Sequence, residues 1–159
     1  KRAFAAAFRR RRCLVPADGY FQWREGDRSK QPWLIERRDE APFAFAGIWD
    51  RWGPRQDPQA AIDSFTIITT DANDFLRPFH HRMPVVLAAD AYDRWLAPDA
   101  EAEKLMPLLT PAPNTMLRAV PLGRAVNTAR AEGAELVTPE GAALSWQGSA
   151  AAGATALET

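Results

Sequence analysis

The stretch Arg12-Cys13-Leu14-Val15-Pro16-Ala17-Asp18-Gly19-Tyr20-Phe21-Gln22-Trp23 places two short β-like runs on either side of the turn-favouring pair Asp18-Gly19. In an extended second run, Tyr20 and Gln22 point to one face and Phe21 and Trp23 to the other. Upstream, FAAAFRRRR at residues 4–12 reads as the end of a helix, with Phe4 and Phe8 on one face and arginines gathered where the helix dipole favours them. Downstream, residues 32–36 and 43–49 continue a meander of antiparallel strands, and the aromatics suit a pleated surface. EGDRSK at 25–30 and RRDEAP at 37–42 read as the hairpin loops between them.

Further along, the loop at 53–61 precedes Phe65-Thr66-Ile67-Ile68-Thr69-Thr70, the cleanest β pattern in the chain. Asp71 or Asn73 is suited to cap a short helix running to about Arg77, and Met83-Pro84-Val85-Val86-Leu87 reads as a buried strand. Asp90 starts a helix over residues 91–96, Pro98-Asp99 a second to Leu105, and strands are expected at 115–122 and 125–128. Residues 1–140 form the expected domain. Residues 141–159, biased to Ala, Gly, Ser and Thr, are expected to be a disordered tail.

The 159 residues include 20 Lys+Arg and 20 Asp+Glu, with 47% hydrophobic and 25% charged residues. That balance belongs to a soluble globular domain, and no apolar run approaches the ~18 residues of a membrane span. The neutrality is a cancellation: residues 1–38 carry net +7 and residues 39–159 net −7. Such a split fits a basic face for an anionic partner and equally a solvated charged surface. One cysteine and two adjacent histidines cannot supply a zinc cluster, so no metal or cofactor is expected, and the cysteine usage fits a reducing, cytoplasmic compartment. The opening Lys1-Arg2 lacks an initiator Met and a signal peptide, which reads as a start inside a longer protein.

His80-His81-Arg82 holds both histidines at a loop-to-strand junction. Imidazole exchanges protons near neutral pH and guanidinium holds phosphate or carboxylate, though the bland reading makes these surface loop residues. Gln22 among aromatics reads by itself as a structural hydrogen-bonding residue, because an amide does no acid–base work. Cys13 follows four arginines, which would activate a thiol near them, but it opens an apolar run and reads as structural. Six tryptophans exceed the needs of a core this size, so one or two are candidate base-stacking platforms.

Taken together, these blocks resemble the SRAP family, the SOS-response-associated peptidases that process abasic sites in DNA. Residues 12–23 resemble its R-C-[LI]-[IV]-P-A-D-G-[FWY]-[FY]-E-W block, and Phe45-Ala46-Gly47-Ile48-Trp49 its F-A-G-L-W strand. Phe65 to Thr70 resembles the next strand, His80 to Leu87 resembles H-D-R-M-P-[VL]-[IV]-L, and Val126-Asn127 with Gly133-Ala134-Glu135-Leu136 resembles the closing V-N…G-P-E-L. The blocks fall in the family's order.

The resemblance implies an α+β fold with a bent, barrel-like antiparallel sheet, flanking short helices and a basic cleft for single-stranded DNA. It implies a monomer acting on abasic sites, in a cytoplasmic, nucleoid-associated setting of bacterial type. In the family, an N-terminal cysteine, exposed when the protein removes its own initiator Met, forms a thiazolidine cross-link with the abasic-site aldehyde. The α-amine of that cysteine forms the imine, and its thiol closes the ring. Transferred residue by residue, the family's catalytic histidine falls on His80 and its glutamate on Gln22. Arg82 would contact a phosphate, Trp23 would stack on a base and Thr69 would donate to a phosphate. The nucleophilic cysteine lies outside this chain, which corresponds to the C-terminal two-thirds of the family domain, and Cys13 matches an internal family cysteine.

Gln22 keeps the shape of a glutamate and loses its charge and proton transfer, so slower chemistry is expected. A non-catalytic single-stranded DNA-binding module is the alternative, and a structural protein unrelated to DNA a third. A sheet deprived of upstream strands would also expose edges and apolar surface.

Overall fold

The computed structural model describes residues 4–24, 30–54 and 56–148. Most of the expected loop at 25–30 and the last part of the expected tail lie outside those residues. Helix α1 (Ala5–Arg10) leads into β1 (Arg12–Ala17), and the chain changes sheet at Asp18-Gly19 to enter β2 (Gly19–Arg24). The expected meander is corrected at this point, because β1 does not pair with β2. Instead β1 pairs antiparallel with β4 (Phe43–Trp52), while β2 forms a hairpin with β3 (Gln31–Arg37). Gly19 permits the switch: a Cβ there would lie 2.8 Å from the Leu34 Cδ1 and 2.9 Å from the Ile35 carbonyl oxygen.

The first sheet runs β1-β4-β5, with β5 at Ile62–Ile67 paired to Gly47–Trp52 of β4, and β8 (Val86–Leu87) pairs with Ala44 and Phe45 of the same strand. Strands β6 (Thr69–Asp71) and β7 (Arg82–Pro84) form a separate two-stranded ribbon. The second sheet has the order β10-β9-β3-β2, with β9 at Leu117–Pro121 and β10 at Leu144–Ser145. The fold is therefore α+β with antiparallel sheets and short helices. Its sheets are open, and the described strands close no barrel.

One core lies between the sheets, where Phe43 and Phe45 meet Ile35, Leu117, Phe75, Phe79 and Met83. A second lies on the other side of the first sheet, where Ala46, Ile48, Val85 and Leu87 pack on Trp95 of α2 (Tyr92–Leu96) and Leu105 of α3 (Ala102–Leu105). Strand β5, at the edge of its sheet, leaves Ile62 and Phe65 exposed.

Four expectations change. The β run at 65–70 breaks at Ile68, whose N–H donates to Ala46 O while its own carbonyl accepts from Val85 N–H. The short helix expected to about Arg77 does not form: Asp71 ends β6 and residues 74–79 are a turn, with Asn73 Oδ1 accepting the Leu76 N–H. The segment expected as a strand at 125–128 is a 3₁₀ turn, Arg124–Asn127, closed by Thr128 N–H to Ala125 O. The expected tail enters the fold in part, since β10 pairs with β9 and Trp146 packs on the main core.

Candidate functional site

Strand β2 is the outermost strand of its sheet, and its alternation divides the candidate residues between two faces. On the inner face, Tyr20 packs edge-on against Phe45 with ring centroids 5.7 Å apart. Burial pushes the Tyr20 phenol well above its ordinary pKa. Gln22 follows on the same face, directly opposite Trp33 of β3. Trp33 packs edge-on at 5.4 Å against Phe79, and the Arg24 guanidinium sits 5.7 Å from the same phenyl ring. Gln22 is thus linked through Trp33 to the residue that precedes His80. The buried Trp33 indole N–H has no hydrogen-bond partner among the described residues.

His80 is exposed, yet its ring is anchored. Nδ1 lies 3.0 Å from both the backbone N and the carbonyl O of Arg82. With Nδ1 unprotonated the ring accepts the Arg82 N–H, and with Nδ1 protonated it donates to the Arg82 carbonyl. Either protonation state keeps an anchor. His81 stacks on the ring at 4.4 Å with planes 26° apart.

Arg82 begins β7 opposite Asp71 of β6. One of its terminal nitrogens donates to Asp71 Oδ1 at 2.8 Å, the other to the Thr69 carbonyl at 2.6 Å and the Thr69 hydroxyl at 3.1 Å. The Arg82 side chain keeps 40% of its exposure and that of Asp71 keeps 84%. Thr69 and Arg82 also line an open cavity of about 510 Å³ whose other walls, apart from Thr66, are apolar, Phe4, Phe8, Ile48 and Met106 among them. Thr69 and Arg82 therefore sit on one ribbon, with His80 in the loop that leads into it.

Trp23 lies on the outer face of β2, away from Gln22. Its ring packs against Phe21 at 6.3 Å, and its indole N–H donates to Asn127 Oδ1 at 2.6 Å. Both residues border an open depression of about 580 Å³ together with Lys30, Val126 and Ala129. The structure thus groups the five candidates into the ribbon of Arg82 and Thr69 with His80 at its entry, the inner face of β2 carrying Gln22, and the outer face carrying Trp23.

The basic run divides as well. Arg9 and Arg10 are exposed and Arg11 pairs with Asp50 at 3.2 Å, whereas Arg12 is buried and structural. Cys13 sits inside β1 opposite Gly47, and burial raises its thiol pKa, the opposite of what a nucleophile needs. Asp71 and Asn127 are the partners that sequence reasoning did not assign to the site. Each is separated in the chain from the side chain it holds, by 11 and 104 residues, and no local motif announces such a pairing. Among the described residues, no helix is long and apolar enough to cross a membrane and no group of three acidic, His or Cys side chains could hold a metal ion.

Comparison with known proteins gives a consistent picture. Residues 1–129 match the family described as SOS response associated peptidase (SRAP). The abasic site processing protein YoaM of Bacillus subtilis is 36% identical over 140 residues, covering 84% of this chain and 61% of that protein. The abasic site processing protein YoqW of the same organism is 32% identical over 130 residues, covering 80% and 57%. A crystal structure of a protein from Bacteroides thetaiotaomicron superposes with a TM-score of 0.73 at 32% identity, covering 81% of this chain and 57% of that one. The chain spans about three-fifths of the length of these relatives. With the family match reaching through both the β2 block and the His80 ribbon, the chain belongs to the SRAP family.

Proposed function

We propose that this chain binds single-stranded DNA at abasic sites and supplies phosphate contacts and proton transfer for processing them. The observation that carries this reading is the entry to the β6–β7 ribbon, where an imidazole whose Nδ1 is anchored on the Arg82 backbone sits two residues from a solvent-accessible guanidinium. The names of the related proteins, which are abasic site processing proteins, agree with it. Arg82 and the Thr69 hydroxyl hold a phosphate at the ribbon edge, while Trp23 stacks on an unpaired base.

In the cross-linking reaction, an N-terminal α-amine adds to the aldehyde carbon of the ring-opened sugar and water leaves as the imine forms. The thiol of the same residue then adds to the imine carbon, its proton passing to the nitrogen, and a thiazolidine results. His80 moves protons in these steps. Cys13 cannot take the cysteine's role, because its nitrogen is a backbone amide within β1. This chain's part is therefore binding and proton transfer. Gln22 favours a second reading, a binding module whose chemistry is lost or slowed, since an amide in a carboxylate's place cannot carry a proton.

Both readings require DNA binding. Fluorescence anisotropy of the 159-residue chain with a single-stranded oligonucleotide carrying a tetrahydrofuran abasic analogue should show saturable binding that weakens as salt rises. No salt-dependent binding at micromolar protein would overturn both.

A further inference from the structure

We propose that Asn127 is a positioning residue that holds the Trp23 indole as a platform for an unpaired base. The inference rests on the single-stranded DNA reading and adds a residue to it. Trp23 is 36% exposed on an edge strand, where an indole in water would sample several rotamers. Here the ring is restrained twice. Phe21, its neighbour on the same face, packs edge-on against it at 63°, and the Asn127 amide oxygen takes its N–H at 2.6 Å.

The hydrogen bond contributes little to the fold, because an exposed N–H and an exposed amide are both well satisfied by water. Its effect is to fix the ring before a ligand arrives, which reduces the ordering cost of stacking. The depression beside the ring fits that use. Lys30 brings a positive charge, Val126 and Ala129 an apolar wall, and the exposed Arg124 and Arg130 flank the same turn. A flat π-face among cations suits single-stranded nucleic acid, whose bases stack while its phosphates meet the charges.

Two measurements on the full chain test this. In the ¹H–¹⁵N spectrum, the indole cross-peak that disappears in Trp23→Phe should move upfield in Asn127→Ala. In anisotropy titrations with a fluorescein-labelled oligothymidine, Asn127→Ala should weaken binding about 2–10-fold, the scale of one hydrogen bond. The slope of log affinity against log salt should stay unchanged, because no phosphate contact is lost. Introduced into the Trp23→Phe background, which has no indole N–H to hold, Asn127→Ala should have no further effect. Equal weakening in both backgrounds, or none in either, overturns the role of Asn127 while DNA binding by the parent chain stands. A parent chain that does not bind overturns the DNA reading and this inference with it.

Discussion

Arg12 and Arg82 are both held by several hydrogen bonds from the chain, and they belong to opposite kinds of region. Arg12 is buried where α1, β1 and α2 meet, and it donates to the carbonyls of Phe8, Arg9, Trp95 and Ala97. Those oxygens close the C-terminal ends of α1 and α2, the negative ends of the helix dipoles. Arg82 stands on an open ribbon, and its partners, Asp71 and Thr69, are exposed to solvent. The first guanidinium is largely withdrawn from solvent, and its nitrogens are already taken up by backbone carbonyls. A phosphate can take the place of Asp71 at the second. Hydrogen-bond number alone would class the two arginines together, and the accessibility of their partners separates a buried arginine from one that an anion can reach.

The largest expected effect comes from breaking the buried junction. Arg12→Ala leaves four backbone carbonyls without their donor at two helix ends, where each orphaned acceptor costs about 1–3 kcal/mol when it stays dry. With partial hydration the expected loss is about 3–5 kcal/mol, or a fall in Tm of about 10 °C or more. Arg11→Ala is the control, because its pairing with Asp50 is exposed and worth no more than ~1 kcal/mol. Thermal melts that leave the two variants within a degree or two of each other would show that Arg12 is not the structural member of the pair.

Arg82→Ala should act in the opposite sense, with stability changed by less than about 1 kcal/mol. Affinity for the abasic oligonucleotide should fall, and the salt slope should become shallower by about one contact. A melt lowered as far as that of Arg12→Ala, or an unchanged salt slope, would remove the contrast between the two regions.

The contrast was half visible in the sequence. The strand at 19–24 follows from alternation and Asp18-Gly19, whereas the apolar run at 83–87 reads as one strand and divides at Val85 into β7 and β8, which pair with different strands; the residue types of His80 and Arg82 suggest proton and phosphate chemistry. Arg12 could be read only as one of four arginines ending a helix, because two of its acceptors, Trp95 and Ala97, lie more than 80 residues away. The pattern at 125–128 reads as a strand, and the place of Asn127 on a 3₁₀ turn against Trp23 depends on a contact 104 residues long. Ile68 breaks a clean β pattern because its backbone bonds to β4 and to Val85. Local periodicity reports which way a side chain faces, and it carries no information about which distant polar group will meet it.

The smallest effect is the most discriminating. Asp71 neutralises the Arg82 guanidinium at 2.8 Å, so a phosphate must compete with a carboxylate for one of its terminal nitrogens. Asp71→Asn removes the competing charge and keeps an oxygen acceptor in place, while Thr69 continues to hold the other terminal nitrogen. If Asp71 only screens the arginine, affinity for single-stranded DNA should rise about 2–5-fold at low salt, the scale of an exposed ion pair. The gain should shrink as ionic strength increases and the Debye length falls below the reach of that charge. Weaker binding in Asp71→Asn would mean that the carboxylate aims the guanidinium at its phosphate. The ribbon would then be preorganised in the same sense as the Arg12 junction, and the two regions would differ in exposure without differing in how their arginines are held.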